Sequence, residues 1–320
     1  MRLVATPDTP IPTGAIVASV HAIDGAKLRA ARWNPAGAAR GTIVILGGRA
    51  EFIEKYFETI QQLLERGFAV ATMDWRGQGG SERQLKNPRK GHIDDFSLYQ
   101  RDLDGLVSEV LDPACPRPWH GLCHSMGGAI LLAVARAGRC PFDRLVLSSP
   151  MIALAESKRP RLARLVAEAL DAVGLGGAFA PGGGPNIIVA GPFAGNPFTS
   201  DPVRYARTAG VVAADPDLGL GWPTIGWLHA ALRLMREFEN PDFPRRTLTP
   251  ILVVASGADR VVDTRATERF ASCLRAGRLI VVDGAQHEIM MERDLFRDRF
   301  WAAFDSFIPG VEGEAARAAR

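Results

Sequence analysis

The chain has 320 residues and 47% apolar side chains, enough for one large domain or a core carrying an insertion. Thirty-eight basic against 35 acidic side chains leave a net charge of +3, with no Lys/Arg block, so a nucleic-acid partner is not expected. Cys115, Cys123, Cys140 and Cys273 show no paired C-x-x-C spacing, which speaks against a zinc site or a disulfide framework.

The opening stretch MRLVATPDTPIPTGAIV is broken by prolines and lacks the apolar centre of a signal peptide. No run approaches the length of a membrane span. A soluble cytoplasmic protein in a reducing compartment is the expectation.

The first elements predicted are two alternating stretches in AIVASVHAIDGAKLRAARWNP, joined by the turn signal Asp24-Gly25. GTIVIL (41–46) is a short continuous apolar run, which suits a strand covered on both faces. A helix is expected at 53–66, a strand at 68–74, a helix at 95–111 and a strand at 119–123. Helix 126–137 and strand 144–149 follow. Beyond a long interval come strand 250–256, helix 264–275, strand 278–283 and helix 292–307.

Strands and helices alternating with short connections imply an α/β fold, a mostly parallel sheet with helices on both faces. Ligands then bind at the edge where the strands end. Residues 1–150 and 250–320 form that core, and the interval 151–249 reads as an inserted, mainly helical cap. The interval holds one clear helical pattern, RLARLVAEALDAV, with Leu162, Leu165, Val166, Ala169, Leu170 and Val173 at three- and four-residue steps. After the Gly/Pro-rich GLGGAFAPGGGP come Phe193, Phe198, Trp222 and Trp227, candidates for lining a substrate pocket as well as for plain packing.

The chemistry centres on WHGLCHSMGGAI (119–130). A strand, then x-S-x-G, then a helix is the setting of a nucleophile elbow, which presents Ser125 at a strand tip. The positions two before and two after the serine must be small. Gly127 satisfies that, and Cys123 stands where glycine is usual.

Serine needs a general base, and in this kind of fold the chain order is serine, acid, histidine. Of six histidines, only His287, in DGAQHE, follows strand 250–256. His229 reads as a surface or gate residue of the insertion, and His124 as turned away from Ser125. The acid that orients the imidazole is Asp259, in SGADRVVD; Asp263 suits a helix cap better, and Asp283 is a distant third. Backbone N–H groups for an oxyanion are expected from Met126 and, in the loop LGGRAEF, from Arg49.

The blocks GGRAEFIEKYFE, DWRGQGGSERQL, KGHIDDFSLYQRDL, HSMGGAI, AADPDLGLGWPTIGW, ADRVVD and GAQHEIMMERD resemble, in order and spacing, the monoglyceride lipase and lysophospholipase group of α/β-hydrolases. The resemblance runs through most of the chain. It implies a Ser125–Asp259–His287 triad with Arg49 and Met126 as oxyanion donors. Two departures stand out: Cys123 in the elbow, and Gly47-Gly48 where the monoglyceride lipase branch has His-Gly. Arg76, in DWRGQGGS, reads as support for the platform; the segment lacks the lysine of a phosphate-binding loop.

The expected reaction is hydrolysis of single-chain lipid esters through an acyl-enzyme, with no metal or cofactor. Rival readings are a small-ester carboxylesterase, an amide-cleaving aminopeptidase and a binding protein without chemistry. The aminopeptidase would need an acid in the insertion, from Glu156, Glu168, Glu237 or Glu239. The Arg49 side chain has two prospects, an ion pair with Glu51 or a neighbour, the simpler one, and a headgroup phosphate. Lys158, Arg159, Arg161 and Arg164 could face an anionic lipid surface transiently, or simply water.

Overall fold

Five-residue apolar runs that would be unstable alone become strands here because helices cover both faces of the sheet. A computed structural model describes residues 1–155 and 160–310. In β3 (Thr42–Leu46) all five side chains are buried. Val44 and Leu46 enter the core on one face, Ile43 and Ile45 the core on the other, the period of two that a pleated strand imposes.

The hairpin β1 (Ile16–His21) and β2 (Lys27–Trp33) turns at Asp24-Gly25, and β2 continues antiparallel onto β4 (Ala69–Met73). The remaining strands, β5 (Trp119–His124), β6 (Arg144–Ser148), β7 (Ile251–Ser256) and β8 (Gly277–Val282), are parallel to β3 and β4. The order across the sheet is β1-β2-β4-β3-β5-β6-β7-β8. From β3 the chain crosses to β4 on one side, while β5 lies on the other. The strand order therefore reverses between β3 and β5, and the loops leaving these two strands part to open a crevice.

The core helices α1 (Phe57–Glu65), α2 (Ser97–Leu106) and α3 (Met126–Arg136) fall where the periodicity puts them. The stretch between β6 and β7 holds α4 (Pro160–Leu170) and two helices whose positions the sequence reading does not locate, α5 (Pro202–Ala214) and α6 (Ile225–Phe238). Both of these helices begin at legible caps. Asp201 accepts from the Val203 and Arg204 N–H groups with Pro202 in the first turn, and the Thr224 hydroxyl accepts from the Trp227 N–H.

The amphipathic α4 is present, but its stripe does not roof a pocket. Leu165 is 63% exposed, and Leu162, Val166 and, just beyond the helix, Val173 also face water. Two further helices, α7 (Thr264–Ser272) and α8 (Asp294–Phe307), complete the core. Among the described residues no helix is long and apolar enough to cross a membrane.

Candidate active site

Ser125 sits between β5 and α3 at φ +47° and ψ −111°, a strained conformation outside the regions open to most L-residues. Hydrogen bonds from Ser125 N–H to Ser148 O and from Met151 N–H to Ser125 O, both 3.0 Å, tie the bend to the end of β6. A Cβ on Gly127 would stand 2.3 Å from Leu46 O, so the position admits no side chain. Cys123 is fully buried in β5 and fits without displacing the bend.

The structure brings the three expected side chains together. His287 Nε2 lies 3.0 Å from Ser125 Oγ, and His287 Nδ1 lies 2.8 Å from Asp259 Oδ2. The Asp259 carboxylate also accepts from the Val261 and Val262 N–H groups at 2.8 and 3.0 Å. Burial opposes its charge, but His287 and these backbone donors outweigh burial and hold its pKa below the usual carboxylate range. Asp263 instead caps α7 through Ala266 N–H, and Asp283 is exposed and does not line the cavity beside Ser125.

The loop after β3 supplies the facing donor. Glu51 takes the Gly48 N–H, and Gln78 Oε1 takes the Ala50 N–H at 3.2 Å. Between them the Arg49 N–H has no hydrogen bond among the described residues, and the Met126 N–H opens the first turn of α3, where helical N–H groups lack internal partners. Gln78 also donates to Gly48 O and Glu51 O, and Trp75 Nε1 donates to Gly47 O. The DWRGQGGS segment thus buttresses this loop, while Arg76 is committed to Asp102 and Asp24.

Beneath the loop lies a buried ionic network that the sequence did not disclose. Glu51 accepts from Lys55 Nζ at 2.8 Å and from the Tyr56 hydroxyl at 2.5 Å, and His124 Nδ1 stands 3.0 Å from its Oε1. Lys55 Nζ is also 2.6 Å from Glu288 Oε1. Burial opposes the charge on both Glu51 and His124. For Glu51, attraction to His124 and Lys55 outweighs it and lowers the pKa well below normal; for His124, attraction to Glu51 and Glu288 outweighs both burial and the opposing Lys55 and raises the pKa.

The idea that His124 turns away from the site therefore needs correcting. Its Nε2 lies 3.3 Å from the His287 carbonyl, so the network links the elbow, the loop after β3 and the histidine loop. The ion pair expected between Arg49 and Glu51 does not form either, because Glu51 is already committed. A Cβ on Gly47 would approach Glu51 Oε2 to 3.0 Å, which is why no side chain stands where the related branch has histidine.

Ser125, His287 and Arg49 line a cavity of about 710 Å3, the size of a drug-scale ligand site. Phe198, Trp222 and Trp227 line it with them. Phe193 does not; it packs on Tyr205, ring centroids 5.6 Å apart, and Tyr205 lines the cavity in its place. His229 does not line the cavity; its part-exposed ring pairs through Nδ1 with Asp171 at 2.9 Å. Glu168, Glu237 and Glu239 do not line the cavity, and Glu156 lies outside the described residues. Among the described residues no group of three or more His, Cys, Asp or Glu side chains could hold a metal ion.

With its switch-point crevice and strained serine turn, the molecule is a serine hydrolase of the α/β-hydrolase fold. Its affiliation is narrower than that. The family model Hydrolase_4, described as serine aminopeptidase S33, matches residues 37–294, and the chain belongs to this family. Lysophospholipase L2 of Escherichia coli K12 is 33% identical over 270 residues, spanning 80% of this chain and 76% of that protein. Monoglyceride lipase of Rattus norvegicus is 27% identical over 271 residues, spanning 84% and 82%.

Among solved structures, a carboxyl esterase from Bacillus coagulans superposes with a TM-score of 0.71 at 20% identity, over 94% of this chain and 99% of that one. A soluble variant of monoglyceride lipase from Saccharomyces cerevisiae gives 0.70 at 20% identity, over 93% and 98%. These two likenesses speak for the fold.

Proposed function

We propose that this protein hydrolyses carboxylic esters of lipids bearing one acyl chain, monoacylglycerols or lysophospholipids, through an acyl-enzyme on Ser125. The observation that carries the reading is the unbroken hydrogen-bonded relay from Asp259 through His287 to Ser125, at the wall of a largely apolar cavity.

Asp259 accepts the Nδ1 proton, which leaves Nε2 free to take the proton of Ser125 as its oxygen attacks the ester carbonyl. The carbonyl oxygen gains the negative charge, and the N–H groups of Arg49 and Met126 receive it; the α3 N-terminus adds a favourable dipole. His287 returns its proton to the leaving alcohol. Water, deprotonated by His287, then releases the fatty acid and restores Ser125.

The acyl chain has an apolar wall to lie on, with Met151, Leu154, Val189, Phe198, Trp222 and Leu228 facing the cavity. Each buried methylene contributes about 0.8 kcal/mol, which favours longer chains over acetate. An amine-binding aminopeptidase is disfavoured by the same walls. The cavity carboxylates Glu51 and Glu288 are both paired with Lys55, so neither is free to hold an ammonium group.

Residues 151–249 serve as the cap in this reading, since residues 186–198 and 222–228 contribute much of the lining. The exposed apolar face of α4 is the part suited to touching a lipid surface transiently. Of the basic residues at its start, Arg164 pairs with Glu239, while Lys158 and Arg159 lie outside the described residues. All four cysteines are free thiols, in keeping with a cytoplasmic setting.

The test is a hydrolysis panel of p-nitrophenyl esters of increasing length, monoacylglycerols and lysophospholipids, run on the native protein and on Ser125→Ala. Medium or long single chains should be preferred, and Ser125→Ala should lose both turnover and fluorophosphonate labelling. A best rate at acetate, falling steadily with length, would remove the lipid reading.

A further inference from the structure

Arg49 is an arginine without an anion. Its guanidinium has one protein acceptor among the described residues, Gly221 O at 2.9 Å, and stands 5.2 Å from the centre of the Trp227 ring. Nε is buried with no hydrogen-bond partner, and no carboxylate comes within ion-pair range among the described residues. Burial draws its pKa down to about 10, so it is still charged at neutral pH.

A carbonyl and a ring do not neutralise a charge taken out of water; a second ion does. The obvious internal candidate, Glu51, is held by Lys55, His124 and Tyr56. The cavity's other arginine, Arg260, donates to the carbonyls of Gly195 and Asn196 and also has no carboxylate partner among the described residues. The two carboxylates lining the cavity are spent and two of its cations are not, so its unbalanced charge is positive.

Resting on the single-chain-lipid reading above, we propose that the Arg49 guanidinium receives the phosphate of a glycerophospholipid headgroup, and that Arg49 ranks lysophospholipids above neutral monoacylglycerols. The residue would act twice, its backbone N–H on the oxyanion and its side chain on the phosphate. A three-carbon glycerol separates ester from phosphate, a spacing comparable to the reach of one arginine side chain. The terminal N–H donors that Gly221 does not take suit a phosphate oxygen, and the Trp227 ring lies beside the guanidinium.

The experiment compares kcat/KM for lysophosphatidylcholine and for a monoacylglycerol of the same chain, in the native protein, Arg49→Ala and Arg49→Lys. The lysophospholipid-to-monoacylglycerol ratio should fall about ten- to a hundredfold in Arg49→Ala, the worth of one charged hydrogen bond, and recover in part in Arg49→Lys. In parallel, glycerol 3-phosphate should compete with p-nitrophenyl butyrate, more weakly in Arg49→Ala by a similar factor. Inorganic phosphate should compete less well than glycerol 3-phosphate; equal potency would mean an isolated anion site and would overturn the headgroup assignment.

Equal losses on both lipids, or an unchanged ratio, would reduce Arg49 to a tie between loop and insertion and overturn the proposal, with the lipid reading intact. A native protein that cleaves p-nitrophenyl butyrate but neither lipid removes the lipid reading itself, and the headgroup assignment with it.

Discussion

Around Ser125 the polar side chains Glu51, Lys55, His124, Gln78 and Glu288 are buried and committed to partners, whereas in the inserted chain the apolar Leu162, Leu165, Val166 and Val173 stand in water. The first region inverts the usual rule for charges and the second inverts it for hydrocarbon. Buried ion pairs are a weak source of net stability, but they fix geometry, because any displaced partner leaves a charge stranded. Exposed hydrocarbon does the opposite, contributing nothing to the free molecule and becoming useful against a second apolar phase. The platform thus holds reacting atoms still, and the proposed role of the stretch between β6 and β7 is to meet the substrate.

The strongest way to break this contrast is at the platform. Ser125→Ala or His287→Ala should lower kcat by about 10⁶, and Asp259→Asn by about 10⁴, with the fold retained in each case. Single-turnover assays on a soluble p-nitrophenyl ester measure both. A His287→Ala protein that kept most of its rate would mean that the relay is ornamental.

Glu51→Gln tests whether the ionic network is part of that rigidity. It leaves Lys55 with Glu288 alone and takes the carboxylate partner from His124, so stability should drop by about 3 kcal/mol, and kcat should fall more than KM rises as the Arg49 and Met126 donors lose register. Chemical denaturation paired with steady-state kinetics separates the two effects. A stability loss with unchanged kcat would confine the network to holding the fold.

Acid sharpens the same comparison. Glu51 and Asp259 have folded-state pKa values below those of the unfolded chain, about 4.3 and 3.9. Their contribution is therefore complete above those unfolded values and is lost as pH falls through the lower folded ones. Asp102, pushed up to about 6 by burial that its Arg76 contacts do not fully offset, runs the other way, its share fading as pH rises through 6. Thermal midpoints should collapse on the acid side, and less steeply in Glu51→Gln. Parallel acid limbs for native and variant would deny Glu51 its low pKa.

Much of the platform could be read before any coordinates. The turn after β5 announces itself because only a small residue fits at Gly127, chain order singles out His287, and a place just past β7 sets Asp259 apart from its competitors. The capping role of Asp263 was legible for a similar reason, since an aspartate just before a helical pattern has a local task. The ionic network was not legible. EFIEK reads as the solvated face of a helix, and nothing local tells that Lys55 will meet Glu288 across more than two hundred residues. The insertion failed for a different reason: periodicity reports that a helix has an apolar face but not what the face meets. Hence neither the outward turn of α4 nor the packing of Phe193 on Tyr205 can be read locally, and Tyr205 and Leu228 line the cavity without any signal in the sequence.

The smallest expected effect lies on that outward face. Leu165→Glu puts a charge in the middle of the α4 stripe, at a side chain 63% exposed and outside the cavity lining. Stability should change by no more than about 0.5 kcal/mol, and turnover of a dispersed short ester should stay within about twofold. Turnover of a long-chain substrate held in vesicles should fall severalfold, because the substituted face loses the apolar area it would insert at the interface. The vesicle-to-soluble ratio, and not either rate alone, is the readout that isolates delivery from chemistry. An unaltered ratio would detach the exposed stripe from substrate delivery, and the proposed lipid contact of that face would fall with it.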